Sequence, residues 1–205
     1  MEARAPALQL EQRLEMAQAR RARLEAQGED TTSILEEINM LRRSLRTGRP
    51  LHRGDVLDDR FVVLDQLGSG GFATVWRALD TQNPSAPTTV AIKVLHGQFA
   101  EDKSRRERFF RGAWKMSELQ HPAIVRVLEP YGDENGTYYF VMEYLAGGTL
   151  HAAIQELEVT PAAALKMVVQ VGHALQFAHE RGLVHRDVKP SNVMVDGEHG
   201  KLTDF

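Results

Sequence analysis

Asp187, Lys189 and Asn192 fall within one short run, His185-Arg186-Asp187-Val188-Lys189-Pro190-Ser191-Asn192. A carboxylate, an ammonium and an amide at offsets of 0, +2 and +5 make a compact set for moving a phosphoryl group. The carboxylate can accept a hydroxyl proton, the ammonium can offset charge developing on phosphate oxygens, and the amide oxygen can hold a hard metal ion. His185 is a lone histidine, and packing with a structural hydrogen bond accounts for it as well as any chemistry does. The other histidines show no paired spacing for a metal site. With no cysteine in the chain, disulfides, thiolate metal sites and cysteine nucleophiles are excluded.

Several elements must position that run. Thr160-Pro161 is a helix start, with a capping threonine and proline at the first helical position. Leu165, Val168, Val169, Gly172 and Leu175 are expected to form its buried stripe, and Gly182 to end it before Leu183-Val184 delivers the loop. Upstream, Phe61-Val62-Val63-Leu64 leads into Gly68-Ser69-Gly70-Gly71-Phe72-Ala73-Thr74-Val75-Trp76. Strand-rich sequence flanks these glycines and no helix follows, which argues against a dinucleotide-binding fingerprint. Val90-Ala91-Ile92-Lys93 reads as a buried strand carrying one cation, and residues 103 to 119 as a helix closed by His121-Pro122. Tyr139-Phe140-Val141-Met142-Glu143-Tyr144-Leu145-Ala146-Gly147-Gly148 reads as a buried strand followed by a loop.

Taken in order, these motifs over residues 55–205 resemble the eukaryotic-type (Hanks-type) serine/threonine protein kinases, and in wording the bacterial members of that family. The resemblance implies an α+β, bilobal fold: a five-stranded antiparallel small lobe with one helix, about 55–146, and a partial α-helical large lobe, about 147–205. It implies phosphoryl transfer from Mg-ATP to protein serine or threonine hydroxyls, with ATP and Mg²⁺ as cofactors and protein substrates as partners. Residue by residue, Asp187 becomes the base, Lys189 the γ-phosphate contact and Lys93 the ligand of the α- and β-phosphates. Asn192 and Asp204 become the Mg²⁺ ligands. Gly68, Ser69, Gly70, Gly71, Phe72 and Ala73 become the flap over ATP. Val75, Ala91, Met142 and Met194 line the adenine slot, and the backbones of Glu143 and Leu145 bond the adenine edge.

Two departures qualify the match. Ala73 stands where a third flap glycine is common, a small change. In the helix, the family's glutamate partner of the strand lysine falls, counting back from His121-Pro122, on Gly112. A shifted helix register, another acid serving Lys93, or a missing ion pair with impaired activity are the three alternatives. The family pattern continues beyond Asp204-Phe205 with glycine and an activation segment, so the chain is expected to be the front part of a longer kinase. The competing reading is a truncated or pseudokinase-like nucleotide-binding and interaction module.

The first 50 residues differ in kind. Leu10, Leu14, Ala17 and Leu24 fall on one helical stripe, interrupted by Arg21. Ile34, Ile38, Leu41 and Leu45 repeat at 4, 3 and 4, an a/d seam. Gly28-Glu29-Asp30 breaks the helix and Ser33 with Glu36 reads as a capping box that restarts it. This predicts a helical hairpin or short coiled coil, serving either self-association and docking or packing on its own kinase lobe. Arg42, Arg43, Arg46, Arg49 and Arg53 read as a solvated helix end, and Gly48-Arg49-Pro50 as a linker. A net charge of −3 offers no reason to expect nucleic acid or an anionic membrane. No apolar run is long enough to span a bilayer, the N-terminus lacks a signal core, and the expected location is cytoplasmic.

Overall fold

The computed structural model describes residues 4–46 and 51–205. The amino-terminal segment forms two helices, α1 (Arg4–Gln27) and α2 (Thr32–Arg46). Gly28, at φ +70°, takes the left-handed conformation that lets Glu29 N–H return to the Leu24 carbonyl and end α1. The restart differs from the expected Ser33 box. The Thr31 carbonyl accepts the first helical bond from Leu35 N–H, and the Asp30 carboxylate accepts from both the N–H and hydroxyl of Thr32. A charged acceptor three residues earlier competes better for the free amides than Ser33 does. Ala17, Ile34, Ile38 and Leu41 are buried together, with Leu10, Leu14 and Leu24 packed around them. The seam is therefore closed within the hairpin. The side chains of Leu45, Arg42, Arg43 and Arg46, and the linker 47–50, lie outside the described residues.

From residue 51 a six-stranded antiparallel sheet is built, in the order β1-β2-β3-β4-β6-β5. Its strands are β1 (Val56–Leu57), β2 (Phe61–Ser69), β3 (Ala73–Asp80), β4 (Thr88–Leu95), β5 (Val127–Glu134) and β6 (Thr137–Glu143). Five strands were expected, and β1 is the sixth. It is a two-residue edge made by a turn whose central residues, Asp58 and Asp59, are both left-handed, as in type I′ turns. Asp-Asp tolerates that conformation less readily than Asn-Gly, which is why the turn is hard to see in the sequence.

The sheet's two faces are buried separately. Leu51, Leu57, Phe61, Val63, Ala78, Val90, Ile92 and Val141 form one core. The other packs Ala91, Leu95, Phe140 and Met142 against Phe109, Phe110, Ala113 and Met116 of helix α3 (Lys103–Ser117). The Asp102 carboxylate caps α3 by accepting from Arg105 N–H.

The large lobe contributes α4 (Leu150–Gln155), α5 (Pro161–His179) and the hairpin β7 (Val193–Asp196) with β8 (His199–Leu202). Thr160 caps α5 through Ala163 N–H, as expected. Gly182, at φ +74°, closes the turn after it, where Leu183 N–H reaches the Ala178 carbonyl. The buried face of α5 is not the expected one. Met167, Val171, Ala174 and Ala178 are buried, whereas Leu165, Val168 and Val169 are exposed. The helix is apolar on more than one side, so periodicity alone does not choose. The choice falls to the face whose alanines, both fully buried, admit close packing against Leu119, Ala123 and Ile124. The lobes are tied by the Ala123 and Val125 backbones bonding Leu202, and by Lys201 paired with Glu143 at 3.0 Å.

Candidate active site

The run 185–192 is held from below by a buried ring. His185 Nε2 bonds the Thr203 carbonyl at 2.7 Å, and its Nδ1 accepts Asp187 N–H at 3.2 Å. This assigns the ring proton to Nε2 and gives His185 a structural role. Its face packs on Phe205. Arg186 and Asp204 both adopt positive φ, 68° and 66°, an unfavourable conformation for a side-chain-bearing residue that the surrounding bonds must enforce.

Above the ring, Asp187 is the hub. Lys189 Nζ lies 2.7 Å from its Oδ2, and the Asn192 amide nitrogen donates to both its backbone carbonyl (2.9 Å) and Oδ2 (3.1 Å). The Lys189 ammonium hydrogen bond holds the exposed Asp187 carboxyl below the usual carboxylate range, and the Asn192 bond adds to it against the opposing effect of burial. Thr203 N–H donates to the Asn192 carbonyl, which brings Asp204 alongside the loop. Asn192 Oδ1 and the Asp204 carboxylate are hard oxygen donors. Among the described residues no cluster of three or more His, Cys, Asp or Glu side chains could hold a metal by itself. A pair of protein oxygens fits a small divalent cation that completes its shell with water and phosphate.

Opposite the loop, Lys93 on β4 bonds Asp204 at 2.6 Å. Of the three alternatives raised by Gly112, another acid serves Lys93. Glu107 faces Lys103 instead, at 3.9 Å. A Cβ built on Gly112 would meet only the Phe205 carbonyl, at 3.4 Å, so the glycine gives α3 a bare face toward the Asp204-Phe205 backbone.

One cavity of about 590 Å³ gathers these groups. Gly68, Gly70, Gly71, Phe72, Ala73, Val75, Lys93, Asp187 and Asp204 line it, together with Gly112 and Phe205. The flap glycines have no unusual φ, and a Cβ at Gly68 or Gly71 would meet nothing within 4 Å. They leave open space for a ligand to approach the backbone. Arg108, one turn before Gly112, also faces the cavity, and its i−4 spacing from Gly112 is the only sequence signal that could have found it.

Several expected site residues are not on that wall. Ala91, Met142 and Leu145 are buried in the small-lobe core, where Met194 and the cavity-lining Val75 pack on the same cluster. Glu143 turns its carboxylate to Lys201 and Arg126 N–H, leaving only backbone for a ligand. Ser69 turns its hydroxyl to Thr74 and His96. Lys189 and Asn192 reach the site through Asp187.

A glycine flap, a strand lysine and an Asp-x-Lys-x-x-Asn loop face one another across one cleft of a bilobal, kinase-like fold. Residues 61–205 match the protein kinase domain model, and the chain belongs to that family. It is 37% identical over 154 residues to serine/threonine-protein kinase pkn2 of Myxococcus xanthus, covering 73% of this chain and 18% of that protein. It is 38% identical over 154 residues to serine/threonine-protein kinase PrkC of Bacillus subtilis, covering 74% and 23%. The crystal structure of the Mycobacterium tuberculosis PknI kinase domain superposes with a TM-score of 0.62 at 31% identity, covering 76% of this chain and 61% of that one. The chain thus spans about a fifth of the curated relatives' length. Among the described residues, no helix is long and apolar enough to cross a membrane.

Proposed function

We propose that this chain carries the nucleotide site and catalytic loop of a serine/threonine protein kinase that transfers the γ-phosphoryl group of ATP to a protein hydroxyl. The observation that carries the reading is the hydrogen-bonded set Asp187–Lys189–Asn192 facing Lys93–Asp204 beneath a glycine flap. Asp187 orients the substrate hydroxyl and takes its proton as the oxygen attacks the γ-phosphorus and ADP leaves. Its lowered pKa keeps it ionised and able to accept. Lys189 offsets charge on the transferring group, and Lys93 binds the α- and β-phosphates once it leaves Asp204. Asn192 and Asp204 would hold Mg²⁺, which when bound draws charge from the phosphate oxygens.

Gly68, Gly70, Gly71, Phe72 and Ala73 cover the phosphates, and Ser69 contributes backbone only. Val75, Ala91, Met142, Leu145 and Met194 share one apolar cluster suited to adenine. The same reading divides the chain into a helical segment, 1–50, and a kinase domain, 55–205. It places the domain in the cytoplasm, where ATP is available. Since the hairpin seam is closed, self-association or docking by the amino-terminal helices would use their outer faces, where Met16 is exposed.

One observation favours the second reading, a nucleotide-binding module without efficient transfer: Lys93 has no acid on α3 and is engaged by Asp204. The two are separated by measuring Mg-ATP binding calorimetrically and phosphate incorporation into serine/threonine peptides, on wild type and Asp187→Asn. Binding with Asp187-dependent transfer supports the kinase. Binding without transfer supports the module, and absence of binding defeats both.

A further inference from the structure

The flap is pinned from the side facing away from the cavity. Ser69 at the end of β2 stands directly across from Thr74 on β3, and their hydroxyls lie 3.0 Å apart. Thr74 Oγ1 is in turn 3.0 Å from His96 Nε2, in the loop after β4, and Ser69 Oγ is 3.5 Å from the same nitrogen. Strand alternation explains the placement. Ala73, Val75 and Lys93 line the nucleotide cavity, so Thr74 and His96 project to the opposite face, where with Trp76 and Val94 they line a separate groove. The polar chain thus crosses from one arm of the flap, through the other, to the segment that leads into α3.

A second set of contacts joins the same parts. His96 N–H donates to the Phe72 carbonyl at the flap tip at 3.1 Å. The Phe72 ring stacks on Phe99 with centroids 5.1 Å apart, and lies 6.3 Å from Phe109 of α3. The His96 ring lies along Phe99. Gly70 N–H closes the flap turn on the Ala73 carbonyl. Of the six side chains concerned, Ser69, Phe72, Thr74 and His96 lie within the flap or beside it, Phe99 lies in the connection to α3, and Phe109 lies on α3 itself.

We propose that His96 is a positioning residue for the nucleotide flap: through Thr74 it fixes Ser69, and with the Phe72–Phe99–Phe109 stack it couples the flap to α3, a link that cannot run through a side chain at Gly112. An ion pair from α3 to Lys93 would tie helix to nucleotide from inside the cavity. This chain has none from Gly112, and the flap reaches α3 instead through residues 96 to 99 and the aromatic stack. The flap is thereby held in register over the phosphate site before a ligand arrives, which lowers the ordering cost on binding.

The inference rests on the cavity being a nucleotide site, and the test separates the two. Amide hydrogen exchange over residues 68–73 in the ligand-free full chain reports flap order without any nucleotide. Mg-ATP affinity is measured in parallel by calorimetry, and the thermal midpoint controls for global stability. Thr74→Val, which keeps the β-branched shape but removes the central hydroxyl, and His96→Ala should each speed flap exchange. Each should weaken Mg-ATP by about 3- to 10-fold, the scale of one or two hydrogen bonds. His96→Gln, which can still bond Thr74, should recover most of both. The thermal midpoint and exchange in β6 should stay near wild type. Unchanged flap exchange, or a uniform rise in exchange with a lower midpoint, would overturn the proposal. A wild type that fails to bind Mg-ATP would sink the nucleotide reading and remove the functional meaning of the coupling, whatever the flap data show.

Discussion

On the large-lobe side of the cavity, Asp187 is supplied with partners from its own loop. Lys189 and Asn192 bond it, and a buried His185 supports its backbone. On the small-lobe side, Lys93 finds no acid on the neighbouring helix and pairs with Asp204, 111 residues away. The first arrangement is assembled by a few consecutive residues and persists whatever the lobes do. The second exists only when the two lobes meet, and it engages the carboxylate proposed above to hold a metal ion. The difference teaches where this chain is preorganised and where it must rearrange: the proposed base is ready, and the proposed phosphate-binding lysine is not.

The most severe test of the preorganised side is Asp187→Asn. The amide keeps the shape but cannot accept the hydroxyl proton. Phosphoryl transfer in the protein that contains this domain should fall by about 10²- to 10⁴-fold, the range for a general base. Mg-ATP affinity should change little, because Asp187 is assigned to the acceptor rather than to ATP. Steady-state kinetics with separate titration of ATP and peptide reads both. If transfer survives undiminished, the loop is not the catalytic centre and the comparison loses its first half.

The unprepared side is tested by adding what it lacks. In Gly112→Glu the new Cβ meets only the Phe205 carbonyl at 3.4 Å, so α3 can accept the side chain with little movement. Replacing glycine inside a helix also stabilises it, by up to ~1 kcal/mol. A carboxylate from α3 would compete for Lys93 and release Asp204. The expected result is a gain in kcat/KM for Mg-ATP of up to about tenfold, equivalent to about 1.4 kcal/mol. The gain should vanish in the Lys93→Met background. A loss of activity in Gly112→Glu alone would mean that the Lys93–Asp204 pair is not what limits the site.

The same contrast governs what could be read from the sequence. The Asp187–Asn192 loop, the Thr160 cap, the turn at Gly182 and the bounds of α3 are local, and each is written in consecutive residues. The flap and the strand lysine were legible as motifs because their neighbours in sequence are also their neighbours in the sheet. Asp204 as the partner of Lys93 was not, because nothing near either residue encodes a meeting across two lobes. The buried face of α5 is hidden from the sequence for a related reason. Leu165, Val168 and Val169 are as apolar as Met167 and Val171, and tertiary packing on Ala174 and Ala178 decided between them. His96 carried no motif at all; only the register of β3 against β4 brings it to Thr74.

The smallest expected effect concerns the charge on Asp187. Lys189 is the leading cause of its lowered pKa, with Asn192 assisting. Removing the ammonium in Lys189→Ala should therefore raise the titration midpoint of Asp187 toward the usual carboxylate value of about 3.9, and Asn192 should hold part of the depression in place. The sign for stability follows. A carboxylate with a depressed folded pKa contributes stability that is present above its unfolded pKa and is lost as pH falls through the folded one, so the wild-type advantage disappears only in acid. At neutral pH both proteins keep Asp187 ionised. Any loss of transfer in Lys189→Ala at pH 7 then measures phosphate neutralisation rather than the state of the base. Carbon-detected NMR titration of the Asp187 carboxyl in the two proteins separates these effects, and equal midpoints would show that Lys189 does not set the charge of the base it touches.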